Sequence, residues 1–271
     1  MGMTGKLKVV GPDEGRAIHW IGGKLTFMST AASTAGAFTV RVYELGAEGG
    51  AAAHVHAVEE EFFYVLAGQL TFDCGGHSFV ADTGAFVNLP KGLGHRFRNS
   101  GGGPARTWIC TVPSGGEGFF LELGNPYSEP DDATVPPNPE RFAAAAASYG
   151  QKLATPTLLH PNPKAETMDT PLGVGRAPTL REPGEGEAFT AEGVLVTLKA
   201  VGQQTLGAFA LSEIAVAAGA ASPAHRYGRY TESLYILDGE LTLSGGASPA
   251  VASAGSLVVI TIPSRPGPRR S

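Results

Sequence analysis

The sequence predicts an all-β protein built from two copies of one module, joined by a short helix and a Pro-rich linker. Three observations carry this. Glycine (38) and proline (20) are abundant among the 271 residues, while charged side chains make up only 17%, a composition suited to many short strands and turns. Segments rich in Phe, Tyr, Val and Leu, such as 38–45 and 62–66, are punctuated by Gly49-Gly50, Gly68, Gly75-Gly76 and Gly84. Short strands at that spacing indicate a sandwich or a barrel. Finally, the chain repeats itself.

The repeat is ungapped. AHVHAVEEEFFYVLAGQLTF (53–72) lies over AHRYGRYTESLYILDGELTL (224–243) at a constant offset of 171. Ala53 meets Ala224, His54 meets His225, Glu61 meets Glu232, Tyr64 meets Tyr235 and Gly68 meets Gly239. The same offset pairs Gly36-Ala37-Phe38 with Gly207-Ala208-Phe209, and Gly84 with Gly255. A first module is therefore expected over 1–150, and a linker plus second module over 151–271. Between the copies, PPNPERFAAAAASYG (136–150) reads as a helix. Asn138 can cap it, Pro139 suits the first turn, the alanines propagate it and Gly150 can end it. A Pro-rich stretch from Thr155 to Pro183 then leads into the second module.

The net charge of -5, with no basic stripe before the last residues, argues against a nucleic-acid partner. No apolar run approaches the roughly 18–20 residues that span a membrane. The opening MGMTGKLKVV lacks the apolar core of a signal peptide, and Lys6 breaks the myristoylation pattern. Cys74 and Cys110 form neither a CxxC pair nor a disulfide framework. A cytoplasmic protein with two free thiols is expected.

HVHAVEEEFFYVLAG (54–68) holds the first candidate site. On a strand, side chains alternate faces, so His54 and His56 point the same way, about 7 Å apart. Two such imidazoles can converge on one ion at ~2.0–2.2 Å each. Three acids follow, and the repeat singles out one of them. Glu59 and Glu60 stand over Tyr230 and Thr231, whereas Glu61 stands over Glu232. Further on, GAFVNLPKGLGHRFRN (84–99) marks a tight turn at Pro90, Gly92 and Gly94, with His95 heading the next strand. His19, His77 and His160 lie outside both stretches and are assigned no role.

These stretches resemble the two motifs of the cupins, G(x)5HxH(x)3-4E(x)6G and G(x)5PxG(x)2H(x)3N. The second is matched in full by Gly84, Pro90, Gly92, His95 and Asn99. The first is matched by His54, His56, Glu61 and Gly68, although its leading glycine would fall at Glu48, beside Gly49. The resemblance implies two jelly-roll (double-stranded β-helix) modules. It also implies that His54, His56, Glu61 and His95 ligate one divalent transition metal. Fe, Ni, Mn, Cu or Zn would suit, and ligand type alone does not choose among them. Such a set leaves one or two positions open for water, substrate or dioxygen. Glu59 and Glu60 are then expected to form a solvated acidic turn.

The second module departs from the pattern. Tyr227 replaces His56, the third histidine would fall at Pro266, and no histidine follows His225. This module is expected to be structural or regulatory. Counterparts of the strands over 96–123 are missing, which would leave an open sheet edge. Either the N-terminal segment or a second chain would cover it, and because cupins are often dimers a homodimer is expected. Arg265, Arg269 and Arg270 read as a solvated tail.

Together with KGLGHRFRN, the strand GAFTVRVYEL and GFFLELGNP, the first motif is most similar to bicupins of the quercetin 2,3-dioxygenase type. This implies a metal-dependent dioxygenase acting on an aromatic, flavonol-like small molecule, cleaving the ring with dioxygen and releasing carbon monoxide. Glu61 would be both ligand and catalytic base, which requires reach and a suitable pKa. Phe63 shares a face with Glu61 and Phe97 with His95, so both are candidates to line a pocket. Two other readings stand beside this one. One is a cupin isomerase or cyclase of secondary metabolism, and the other is a bicupin that binds metal or ligand without turnover.

Overall fold

The aromatic and β-branched segments between the glycines form strands, because such side chains pack well on a pleated surface. The computed structural model describes residues 6–127, 138–153, 176–244 and 248–261, apart from Asp13, Glu48 and Arg226. The first copy runs β1 (Lys6–Val10), β2 (Arg16–Trp20), β3 (Gly23–Phe27), α1 (Ala31–Thr34), β4 (Thr39–Leu45) and β5 (Gly50–His56). It continues through β6 (Glu60–Ala67), β7 (Gln69–Cys74), β8 (His77–Asp82), β9 (Phe86–Leu89), β10 (His95–Asn99) and β11 (Ala105–Val112). After these come α2 (Glu117–Leu123), β12 (Asn125–Pro126), α3 (Pro139–Ser148), β13 (Gln151–Leu153) and β14 (Thr179–Arg181). An eight-stranded sheet, β12-β2-β3-β4-β11-β6-β9-β14, and a five-stranded sheet, β13-β5-β10-β7-β8, enclose the core. Helix α3 starts as its sequence requires. The Asn138 side chain accepts from the Glu140 and Arg141 amides, Pro139 occupies the first turn, and Gly150 follows the helix at φ +71°.

The second copy supplies β15 (Glu187–Ala191), β16 (Val194–Ala200), β17 (Leu211–Val216), β18 (Glu232–Tyr235), β19 (Glu240–Leu243), β20 (Ala250–Ser253) and β21 (Leu257–Thr261). Shifted by the repeat, these fall on β2, β3, β4, β6, β7, β8 and β9, so the repeat is structural. Among the described residues no strand stands in the place of β5, and the places of β10 and β11 lie outside those residues. In the first copy β11 pairs with both β4 and β6 and ties them into one sheet. Their matches β17 and β18 lie instead in separate sheets, β15-β16-β17 and β1-β21-β18, with β19-β20 as a third.

The two copies exchange their first strands. β14, which opens the second copy, pairs with β9 of the first, and β1 pairs with β21 of the second. The registers correspond residue for residue. Thr179 faces Asn88, while Lys8 and Val259, their matches across the repeat, face each other. The N-terminal segment thus covers the β21 edge of the second module, the edge that β14 covers in the first, and not the edge of β18 that matches the β11 side of β6. β13, which also follows position 150, adds to the first module beside β5.

Both faces of β6 are buried, which is why its apolar run is continuous. Phe63 and Val65 point into the barrel among Leu25, Tyr43, Leu70, Phe72 and Phe97. Phe62 points outward, where Val40, Val42, Phe86 and Trp108 meet Leu257 and Phe209 of the second module. The Phe62 and Phe209 rings stack with centroids 4.1 Å apart. Each such buried aromatic contributes about 1.5–3 kcal/mol. Polar ties flank this interface. The Tyr64 hydroxyl donates to Glu213 (3.2 Å), which pairs with buried Lys199 at 3.4 Å. No helix among the described residues is long and apolar enough to cross a membrane.

Candidate metal centre

The structure brings His54, His56, Glu61 and His95 together, one ligand atom from each lying within 4.8 Å of all the others. β5 carries the first two, β10 places His95 directly opposite His54, and Glu61 comes from β6 in the facing sheet. The turn before β10 is tied to the site, since the Gly92 amide donates to the His56 carbonyl at 2.9 Å. His56, Glu61 and His95 are buried and His54 is half-buried, so His54 marks the side nearest solvent.

Each imidazole is held through Nδ1. That atom lies 2.7 Å from the Ala52 carbonyl in His54, 3.0 Å from the Leu93 carbonyl in His95, and 2.7 Å from Glu59 Oε2 in His56. These oxygens only accept, so each Nδ1 carries the proton and each Nε2 keeps a lone pair. The His54 and His56 Nε2 atoms are 3.2 Å apart. His95 Nε2 and Glu61 Oε2 are buried, 3.3 Å apart, and neither has a hydrogen-bond partner. Four electron pairs aimed at one point repel unless a cation sits among them. Three nitrogens and one carboxylate oxygen suit a transition metal, and the donor set therefore fits one.

The electrostatics differ between the imidazoles. Burial, helped by the neighbouring His95 and His56, holds His54 well below the usual imidazole range, which keeps it neutral as a ligand must be. Burial alone would lower His56 too, but the hydrogen bond to Glu59 and the charge of Glu61 raise it. Burial would lift Glu61. The neighbouring His56 and His95 and the charge of Arg41 outweigh it and hold the carboxyl well below the carboxylate range. Arg41 on β4 is 3% exposed. Its Nη2 donates to Glu61 Oε1 at 3.0 Å, and its guanidinium lies 4.6 Å from the centroid of the Phe120 ring. One Glu61 oxygen is thereby occupied while the other faces the imidazoles.

One sequence expectation needs correction here. Glu59 and Glu60 are not a solvated turn, because both are buried. Glu59 bridges His56 and the Gly116 amide (2.8 Å), and Glu60 pairs with Arg176 at 2.7 Å. A buried carboxylate requires such partners, and they arrive from segments far along the chain. Arg41 was missed altogether. Its signal was a charge in TVRVYEL, in register with inward-facing Tyr43 and Leu45. Phe63 and Phe97 sit two residues along from Glu61 and His95. Their rings, 5.0 Å apart, pack with Phe72 in the barrel core. Cys74 stands opposite His95 on β7, and burial with the nearby Glu61 charge pushes its thiol up to about 12. It is free and protonated.

In the second module, His225 Nε2 and Glu232 Oε2 are 3.7 Å apart on the surface, with the Tyr227 ring beside His225. Glu48, His160, Arg265, Pro266, Arg269, Arg270 and most of the Pro-rich stretch lie outside the described residues.

A small β-barrel with three imidazoles and a carboxylate converging inside it defines a class, and residues 41–112 match the cupin domain family. Protein SchB of Streptomyces halstedii is 33% identical over 108 residues, which cover 40% of this chain and 75% of that protein. The chain belongs to the cupin family, with two modules in one chain. Quercetin 2,3-dioxygenase of Bacillus subtilis (strain 168) is 27% identical over 226 residues, or 80% of this chain. The match spans 65% of that relative's length. An oxalate decarboxylase from Lactobacillus farciminis in complex with formate shares the fold, with a TM-score of 0.62 at 13% identity over 97% of this chain and 81% of that one. A glyoxylate-induced protein from Pseudomonas aeruginosa does likewise, with a TM-score of 0.61 at 12% identity over 94% and 80%.

Proposed function

We propose that the protein is a metal-dependent dioxygenase acting on an aromatic, flavonol-like small molecule, with dioxygen as co-substrate. The observation that carries this is the convergence of four donor atoms whose outer partners leave every Nε2 free to ligate. The similarity to a quercetin 2,3-dioxygenase supports the reaction class. His54, His56, Glu61 and His95 would hold one Fe, Ni, Mn, Cu or Zn ion, which when bound supplies Lewis-acid activation of a hydroxylated substrate.

The chain's own residues do the rest. Half-buried His54 leaves the approach open on its side, and the aromatic core excludes water from the other. Glu61 Oε2 is the oxygen left to accept a substrate hydroxyl proton. Because the imidazoles and Arg41 hold its pKa well below the carboxylate range, it is a weak base, suited only to a hydroxyl already made acidic. The test is aerobic incubation of the metal-loaded protein with quercetin, following flavonol absorbance and carbon monoxide. Consumption with carbon monoxide release, lost in Glu61→Gln, is expected. If the loaded protein leaves the flavonol intact, the dioxygenase reading fails.

A further inference from the structure

Of the three imidazoles at the candidate metal centre, two are oriented by main-chain carbonyls, those of Ala52 and Leu93. Only His56 is oriented by a side chain. Glu59 Oε2 takes its Nδ1–H at 2.7 Å, and Glu59 Oε1 takes the Gly116 amide at 2.8 Å. Both oxygens are therefore engaged, and the carboxylate is buried. Gly116 precedes α2 at an ordinary φ of -72°, so its role is space rather than conformation. A Cβ there would stand 2.6 Å from Oε1 and 3.0 Å from Oε2 of Glu59.

The second copy makes an independent comparison. Across the repeat, His54 and Glu61 are matched by His225 and Glu232. His56 and Glu59 are replaced together, by Tyr227 and Tyr230. The residues around them, Val55, Ala57, Val58 and Glu60, are also replaced, by Arg226, Gly228, Arg229 and Thr231, so the second copy keeps neither His56 nor the surroundings that hold it.

We propose that Glu59 is a positioning residue. Pinned by the Gly116 amide, its carboxylate fixes the Nδ1–H tautomer and the ring orientation of His56, so that Nε2 faces the metal. A carboxylate in this place also strengthens the imidazole as a donor, which a neutral carbonyl does less. Glutamine cannot substitute for it. Its carbonyl can accept from only one of the two donors, and its amide must then point at the other. If the amide faces His56, the imidazole is driven to the tautomer with the proton on Nε2, which cannot ligate.

This inference rests on His56 being a metal ligand, and the experiment separates the two claims. Full-length protein freed of metal by chelation is titrated with Zn2+ in competition with a chromophoric chelator. Wild type, Glu59→Gln and Gly116→Ala are compared. In parallel, 15N-histidine spectra of the metal-free proteins report which ring nitrogen of His56 is protonated. The expected result is an affinity about 10- to 100-fold weaker in both variants, with the wild-type His56 proton on Nδ1 and a shift toward Nε2 in Glu59→Gln. The Gly116→Ala arm alters no ligand and no carboxylate, and acts only by displacing Glu59. Unchanged affinity in both variants, or a wild-type His56 protonated on Nε2, would overturn the positioning role while leaving the metal centre standing. A variant that fails to fold hands the decision to the wild-type spectrum. Wild type that binds no Zn2+ would sink the metal centre and this inference with it.

Discussion

Leu70 and Leu241 stand at matching positions of the two copies. Leu70 is fully buried in the first barrel, whereas Leu241 is only partly covered. Ile18, Leu25 and Tyr43 fill that barrel, while two of their matches, Phe189 and Ile214, remain 52% and 49% exposed. The apolar pattern is present in both copies, so composition does not separate them. In the first copy β4 and β6 lie in one sheet, joined through β11. In the second, their matches β17 and β18 lie in separate sheets. The sites differ likewise: four donors converge in the first copy, and His225 and Glu232 stand near the surface in the second.

The sharpest way to break this comparison is to remove a histidine from each copy. His95→Ala should lose the metal entirely, from about one equivalent to none, and flavonol turnover with it, while His225→Ala leaves both unchanged. Plasma mass spectrometry on protein purified without a histidine tag reads the difference. Metal lost from His225→Ala would mean that the second copy binds after all.

A smaller separation is expected from the two matched glutamates. Glu61→Gln strands the buried Arg41 guanidinium and should cost roughly 3–5 kcal/mol in urea unfolding of the metal-free protein. Glu232→Gln, near the surface, should cost no more than about 0.5 kcal/mol. Equal losses would show that Arg41 has another partner. The matched leucines come next. Leu70→Ala is expected to cost about 2–5 kcal/mol by cavity formation, and Leu241→Ala less than about 1.5 kcal/mol. The smallest effect is expected from Tyr227→His. It restores one imidazole to the second copy, yet the metal content should stay near one equivalent, because no histidine takes the place of His95 there.

Much of this was legible before any coordinates. Alternation along a strand places His54 and His56 on one face, and the offset of Glu61 from Gly68 chooses among three acids without reference to packing. The α3 boundaries follow from Asn138, Pro139 and the alanines, which act within a turn of one another. The same repeat misled at Glu59, because the absence of a carboxylate at Tyr230 was read as dispensability. The role of Glu59 comes instead from burial against His56 and the Gly116 amide.

The sequence by itself determined the all-β class, the doubled module and the helix between the copies, while its resemblance to the cupin motifs implied the four donors. These depend on periodicity, spacing and local capping, which act over a few residues. Only the tertiary structure decided that the modules trade first strands and that Phe62 stacks on Phe209. It alone made Arg41 the counter-charge of Glu61 and Glu59 the holder of His56. Gly116 lies 57 positions from Glu59, Glu61 lies 20 from Arg41, and Arg176 lies 116 from Glu60. A side chain buried beside such a distant partner reads, in sequence, like any charge on a strand or turn. The fold supplies the partner, and with it the reason the charge can be inside.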